Sequence, residues 1–200
     1  MDLDPSARAS LRTIAVVVTA EPRHYSVVNS GNPAFALALV GGIFVAAEQD
    51  RKETKLYQAM QFEKFSLKAV LAAQVAAKLR AAGYDARIVD RAGEAPADAT
   101  LVVVPLQAGF TAASAVSDYQ PTLAVHARLL AADGRTELYR GFHASGSQRP
   151  RGDGWRYTPA ARGFNDFDAL MAKPAASAAA LTDSAGAIAT TIAADLGAAR

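Results

Sequence analysis

The sequence predicts an α+β fold: a mixed, mainly antiparallel sheet of about five strands with helices packed mainly on one face. Three observations predict it. A β-branched run spans Leu11 to Thr19, and Leu67, Val70, Leu71, Val75 and Leu79 recur at helical spacing. Two alternating segments flank an Asp133-Gly134 turn. The 200 residues suit a single domain over 11–200 behind a flexible lead-in over 1–10, with a helical apolar insertion at 34–65.

Taken in order, Leu11 to Thr19 (LRTIAVVVT) is a buried strand that stops before Glu21-Pro22-Arg23. Tyr25 to Asn32 begins strand-like and turns polar, and Pro33 suits the first turn of a helix. Ala34 to Ala47 carries no charge for fourteen residues, short of the roughly 20 that span a bilayer. As a helix it aligns Ala34, Ala38, Gly42 and Ala46 in one small-residue stripe, a surface that admits a close neighbour. Gly41-Gly42 leaves room for a break. The charged stretch from Glu48 to Phe65 continues as a solvated helix.

Ser66 either caps a new helix or lies within a continuous one; the amphipathic stripe begins at Leu67, and Gly83 ends it. Tyr84 to Asp90 is a short strand and Ala92 to Asp98 a turn. Ala99 to Ala108 is a buried strand in which Pro105 marks an edge or a bulge. Gly109 to Tyr119 is expected as a loop. Pro121 to Ala131 and Glu137 to Ser145 form a hairpin through Asp133-Gly134. Gly146 to Gly163 is expected as a long polar loop. Asn165 or Asp166 caps a short helix, and an Ala-rich helix runs from about Ala175 to Leu196.

Composition excludes several chemistries. The absence of cysteine removes disulfides, thiolate nucleophiles, iron–sulfur clusters and Cys-ligated zinc. Net charge is +2, with Lys and Arg interspersed among Asp and Glu, so no nucleic-acid partner is expected. Met1-Asp2-Leu3-Asp4-Pro5 has neither a basic start nor an apolar run, so no signal peptide is expected here.

Catalytic, cofactor and metal residues are all expected to be none. There is no Gly-x-Ser-x-Gly elbow, and Gly41-Gly42 lacks the spacing and Lys of a phosphate loop. Of His24, His126 and His143, the last two lie on the hairpin arms. Two-residue-loop pairing sets Ala132 against Arg135, His126 against Gly141 and His143 against Ala124, placing the two imidazoles diagonally on one face. No third ligand accompanies them, and a zinc site needs at least three. The stronger candidates are surfaces for a partner. The loop holding Arg149, Arg151, Trp155, Arg156, Tyr157 and Arg162 is rich in interface hot-spot types, and the stripe of Ala34, Ala38, Gly42 and Ala46 is the second.

AAKLRAAGYDARIVD (76–90), PADATLVVVPL (96–106) and DYQPTLAVHARLLAADGRTELYRG (118–141) together carry a resemblance. Over about 67–141 the chain resembles small periplasmic lipoproteins of Gram-negative bacteria. Their globular parts are similar to the curli-secretion lipoprotein and to the amino-terminal domain of the Tol-system propeller protein. The resemblance implies a periplasmic, outer-membrane-anchored protein, with the polar lead-in as a tether; the family's lipid-bearing Cys has no counterpart in this sequence. It implies no site residues, because these families share a scaffold.

The sequence thus points to a non-enzymatic envelope protein, a subunit or accessory lipoprotein of an assembly. It would bind a protein partner or its own copies, with peripheral or lipid-anchored membrane association. The alternative is a small-ligand-binding protein or hydrolase with a loop-built site at 109–119 and 146–163, lined by His143, Asp118 and Tyr157.

Overall fold

The computed structural model describes residues 3–29, 38–114, 116–147, 150 and 152–197, with residues 38–47 as backbone. Its elements are α1 (Pro5–Ser10), β1 (Thr13–Val18), β2 (Ser26–Asn29), α2 (Ala38–Phe62), α3 (Leu67–Ala81), β3 (Asp85–Ile88) and β4 (Ala99–Ala112). They continue as β5 (Tyr119–Ala131), β6 (Glu137–Gly146), β7 (Trp155–Pro159), α4 (Phe167–Ala172) and α5 (Pro174–Leu196).

One sheet of seven strands runs β3-β1-β4-β5-β6-β7, and β2 also pairs with β4. Strand β5 alone runs against the others, so its two long ladders, to β4 and β6, are the antiparallel ones. The pairings β1–β3, β1–β4, β2–β4 and β6–β7 are parallel. The sheet is therefore mixed as expected, with two more strands than expected.

Both extra lengths of strand lie in segments expected to be loops. Residues 109–112 continue β4 beyond a bulge between Pro105 and Gln107. The bulge absorbs the missing Pro105 N–H without ending the strand. Ladder β1 uses Ala99–Val103 and ladder β2 uses Gly109–Ala112, so 19–25 pass alongside the irregular stretch. Residues 155–159 form β7, a parallel edge strand within the expected polar loop.

Helix α3 begins where expected: Ser66 Oγ accepts from the Ala69 N–H. Glu21 reinforces that end, its carboxylate accepting from the N–H groups of Leu67 and Lys68 at 2.8 and 3.0 Å. A carboxylate there satisfies orphan donors and opposes the positive end of the helix dipole. Gly83 (φ 94°) provides the left-handed exit. Pro174 separates α4 from α5 and occupies the first turn of α5, and Asp166 caps α4.

Along β4, Ala99, Leu101 and Val103 are buried, whereas Thr100, Val102 and Val104 are half-buried. The first set faces Leu71, Val75 and Leu79 of α3 and Leu181, Ile188 and Ile192 of α5 within one apolar cluster. Leu56 and Met60 of α2 and Leu170 of α4 join the same cluster, with Ala7 of α1 packed on it. All five described helices thus sit on one face. Residues 1–10, expected to be a flexible lead-in, contain α1, capped by Asp4, with Leu3 buried. Within the segment 34–65, residues 38–62 form the helix α2, which runs through Gly41-Gly42 unbroken.

Gly109 lets β2 come close. Its φ is 153°, and an added Cβ would lie 2.0 Å from the Ser26 carbonyl oxygen. Gly109→Ala is expected to lower stability by at least about 2 kcal/mol, read as a reduced urea midpoint. An unchanged midpoint would show that the β2–β4 contact is dispensable.

Candidate functional site

The hairpin turn has the expected pairing at its tip: Leu130 lies opposite Glu137. One residue further the register shifts, because Leu138 bulges and Leu129 pairs with Tyr139. His126 therefore faces Phe142, and His143 faces Val125. A one-residue shift moves side chains to the other face, so the two histidines occupy opposite faces and never meet.

On the helix face, Tyr139, Gly141 and His143 alternate along β6 beneath the end of α5. His143 is fully buried. Its Nε2 lies 2.7 Å from the Tyr139 hydroxyl and its Nδ1 2.8 Å from Thr191 Oγ1. Tyr139 donates to Asp195 Oδ2 at 2.9 Å, and Arg156 Nε reaches both Asp195 oxygens at 3.2 Å. The α5 carbonyls take two further donors: Arg8 Nη2 to Asp195 O at 3.1 Å and the Tyr84 hydroxyl to Leu196 O at 2.6 Å. Burial lowers the His143 pKa to about 4; Asp195 opposes this, and Arg156 adds to it. The imidazole is held neutral.

The Tyr139–His143 bond passes over Gly141. A Cβ there would sit 2.0 Å from the Tyr139 hydroxyl and 2.7 Å from His143 Nε2. Tyr139, Gly141, Thr191 and Asp195 escaped the sequence reading. Two signals were present: Tyr139-x-Gly141-x-His143 shares one strand face, and Thr191 and Asp195 are one helical turn apart.

The opposite face of the sheet receives no buried residue from the described helices. There His126 stacks on Phe142 (centroids 4.5 Å, 11° between planes), and Phe142 meets Trp155 at 5.3 Å. Three rings from β5, β6 and β7 thus run across the sheet and end at its edge. Arg128 and Arg140 flank them and both pair with Glu137, holding that carboxyl below its usual pKa. Burial, then Arg140 and Arg128, lowers the pKa of His126. Its Nε2 is buried without a hydrogen-bond partner.

The expected aromatic-arginine surface is divided by the strand. Trp155 and Tyr157 lie on the open face, with the Tyr157 hydroxyl donating to Gly146 O at 2.7 Å. Arg156 points to the helix side, onto Asp195. Arg151 and Ala34 lie outside the described residues; Ala38, Gly42 and Ala46 fall at successive turns of the α2 backbone. The alternative loop-built site is not assembled, since His143 is sealed on the helix face while Tyr157 lies on the other. A cleft of about 450 Å³ between α2 and α4 mixes Arg51, Lys52 and Lys55 with Glu48, Asp166 and Asp168. Lys52 there pairs with Glu48 at 2.8 Å. Among the described residues no three His, Asp or Glu side chains group as metal ligands, and no helix is long and apolar enough to cross a membrane.

No family model matches this chain, and no curated protein matches it. Solved structures do. A point variant of the PelC dodecamer from Paraburkholderia phytofirmans is 15% identical, covering 94% of this chain and 90% of that one, with a TM-score of 0.44. Another PelC dodecamer structure from that organism is 14% identical over 99% and 96%, at 0.45. A Xanthomonas campestris protein of family DUF330 is 11% identical over 96% and 87%, at 0.42. The likeness concerns the course of the chain, and no residue role is taken from it. Neither the curli-secretion lipoprotein nor the Tol propeller domain is among these three.

Two substitutions test the buried cluster. Tyr139→Phe removes the Asp195 donor and the His143 partner together, and is expected to cost about 1–3 kcal/mol. Gly141→Ala is expected to cost at least as much, because its methyl displaces the Tyr139 ring. Urea denaturation at pH 7 measures both; two wild-type midpoints would remove the cluster from the account of stability.

Proposed function

We propose that this protein is a non-enzymatic component of the cell envelope, an accessory protein of a periplasmic or outer-membrane assembly, acting through protein–protein contacts. The observation that carries the contact reading is the sheet face opposite the described helices, where the half-buried His126, Phe142 and Trp155 line up and end at edge strand β7. Among the described residues, the buried side chains of the helices belong to the apolar cluster on the other face. Half-buried aromatic side chains on a rigid sheet lose little conformational entropy on binding, which makes them efficient anchors. Strand β7 ends the strand order beside Trp155, and Pro159, which has no N–H, limits how far another strand can pair along it.

Placement in the envelope is supported by the scaffold cadence of 67–141. The small residues Ala38, Gly42 and Ala46, with Ala34 before them, remain the second proposed contact, suited to close packing of another helix or of a further copy. Arg151, four residues before Trp155 in the sequence, remains a proposed contact of the same segment.

The test uses a photo-crosslinking residue placed singly at Trp155, Tyr157 or the solvent-facing Lys78 of α3 in cells. Adducts of one discrete mass, to a partner or to another copy, are expected at 155 and 157 and not at 78. In parallel, Trp155→Ala should abolish the complex seen by sedimentation while leaving the circular dichroism spectrum and urea midpoint near wild type. No adduct at 155 or 157, with an unchanged sedimentation profile, would remove this face as the contact. Fractionation that leaves the protein in the cytoplasm would remove the envelope assignment separately.

A further inference from the structure

We propose that the polar cluster beneath the last two turns of α5 is an acid-operated latch: the neutral imidazole of His143 keeps Thr191 and Asp195 seated on β6, and its protonation releases the carboxy-terminal end of α5 from the sheet. This regulation stands apart from the contact surface on the opposite face and does not depend on it.

The argument begins with proton counting. Asp195 accepts from both Tyr139 and Arg156. The Tyr139 hydroxyl, its one proton committed to the carboxylate, can only accept from His143, which fixes Nε2 as the protonated nitrogen. Nδ1 then accepts from Thr191 Oγ1. Every polar atom of this arrangement is satisfied by an imidazole carrying one proton. A second proton on Nδ1 meets Thr191 Oγ1, which accepts it while donating its own proton to Ile188 O, 2.8 Å away; the hydrogen bonds admit the imidazolium, and the cost of protonation is that of enclosing a charge. The added charge is wholly enclosed, since His143 has no exposed surface.

The charges around it do not compensate. Asp195 on α5 lies 4.0 Å from Nε2, and Arg156 on β7 already shares that carboxylate. Arg8 of α1 binds the Asp195 carbonyl instead of its side chain. Tyr139 on β6 and Tyr84, ahead of β3, contribute neutral hydroxyls. A buried cation without a dedicated partner is costly. The least expensive escape is hydration, which requires the turn bearing Thr191 and Asp195 to lift. Lifting it uncovers Ile188, Ile192 and Leu196, all buried at neutral pH, so acid would expose an apolar helix face.

The direction follows from linkage. In the opened state the ring titrates near its ordinary value of about 6.5; in the closed state burial holds it at about 4. Closure is at full strength above about pH 6.5 and weakens as pH falls toward 4. Between pH 7.5 and 5 the opening equilibrium should rise roughly 30-fold.

Native-state hydrogen exchange of the whole chain, corrected for intrinsic rates, tests this at pH 7.5 and 5. The amides of 192–196 should lose roughly 30-fold in protection while those of the β4–β5 ladder hold theirs. His143→Gln, which retains a donor and an acceptor but cannot titrate in this range, should abolish the difference. A titration of the ring by NMR in the wild-type protein needs no variant and should place His143 well below pH 6. The latch is overturned if His143→Gln keeps the pH dependence, if the ring titrates at or above 6.5 in the folded protein, or if the β4–β5 amides open in step with α5.

Discussion

The last turn of α5 is where the chain's separate parts are tied together. Asp195 and the carbonyls beside it receive hydrogen bonds from α1 through Arg8, from the start of β3 through Tyr84, from β6 through Tyr139 and from β7 through Arg156. Helix carboxy termini leave carbonyls without partners, and here the groups that fill them come from elements far apart in sequence. The arrangement is demanding because a buried polar network stabilises only when every member is satisfied. It dictates the sequence locally: a hydroxyl on β6 at 139, no side chain at 141, an imidazole at 143, and a hydroxyl and a carboxylate one turn apart on α5.

With one face of the sheet closed by that knot and the apolar cluster around it, the other face is left to different physics. Strand β4 makes this possible. It is long enough to carry β1 on its first half and β2 on its second, and its Pro105 bulge falls between them. The result is a broad sheet whose described helices pack on one side. On the far side the rings of His126, Phe142 and Trp155 support each other across three strands, beside the buried Ala124 and Ala144.

Much of the architecture was legible in local chemistry. The Ser66 cap, the Leu67–Leu79 stripe and the Gly83 exit define α3 without reference to anything distant, and Asp133-Gly134 fixes the tip of the hairpin. What failed were features decided at a distance. The bulge at Leu138 has no marker in ELYRGFHAS, yet it moves His143 from the face it was expected to share with His126 to the buried opposite one. Residues 109–112 look like a loop because Gly109 opens a segment that runs on into Ala112-Ala113-Ser114, despite the strand formers Phe110 and Thr111; they become strand because β2 and β5 pair on both sides. Strand β7 is hidden for a related reason, since parallel pairing to β6 needs no turn signal between them. The lead-in at 1–10 gave no sign that Arg8 would meet Asp195, 187 positions away.

Trp155-Arg156-Tyr157 shows what a sequence reading of surfaces must respect. As letters the three residues form one aromatic-arginine motif and suggest one surface. In a strand, successive side chains point to opposite sides, so the motif is two motifs interleaved. Arg156 belongs to the interior, where it shares Asp195 with Tyr139 and helps hold α5; Trp155 and Tyr157 belong to the exterior, where Trp155 ends the aromatic row. The same five-residue strand therefore closes one face and finishes the other. Loss of α5 from the sheet would remove the partner of Arg156 while leaving the β6–β7 pairing beneath Trp155 intact. Events on the helix face and contacts on the open face can thus be separated residue by residue along a single strand.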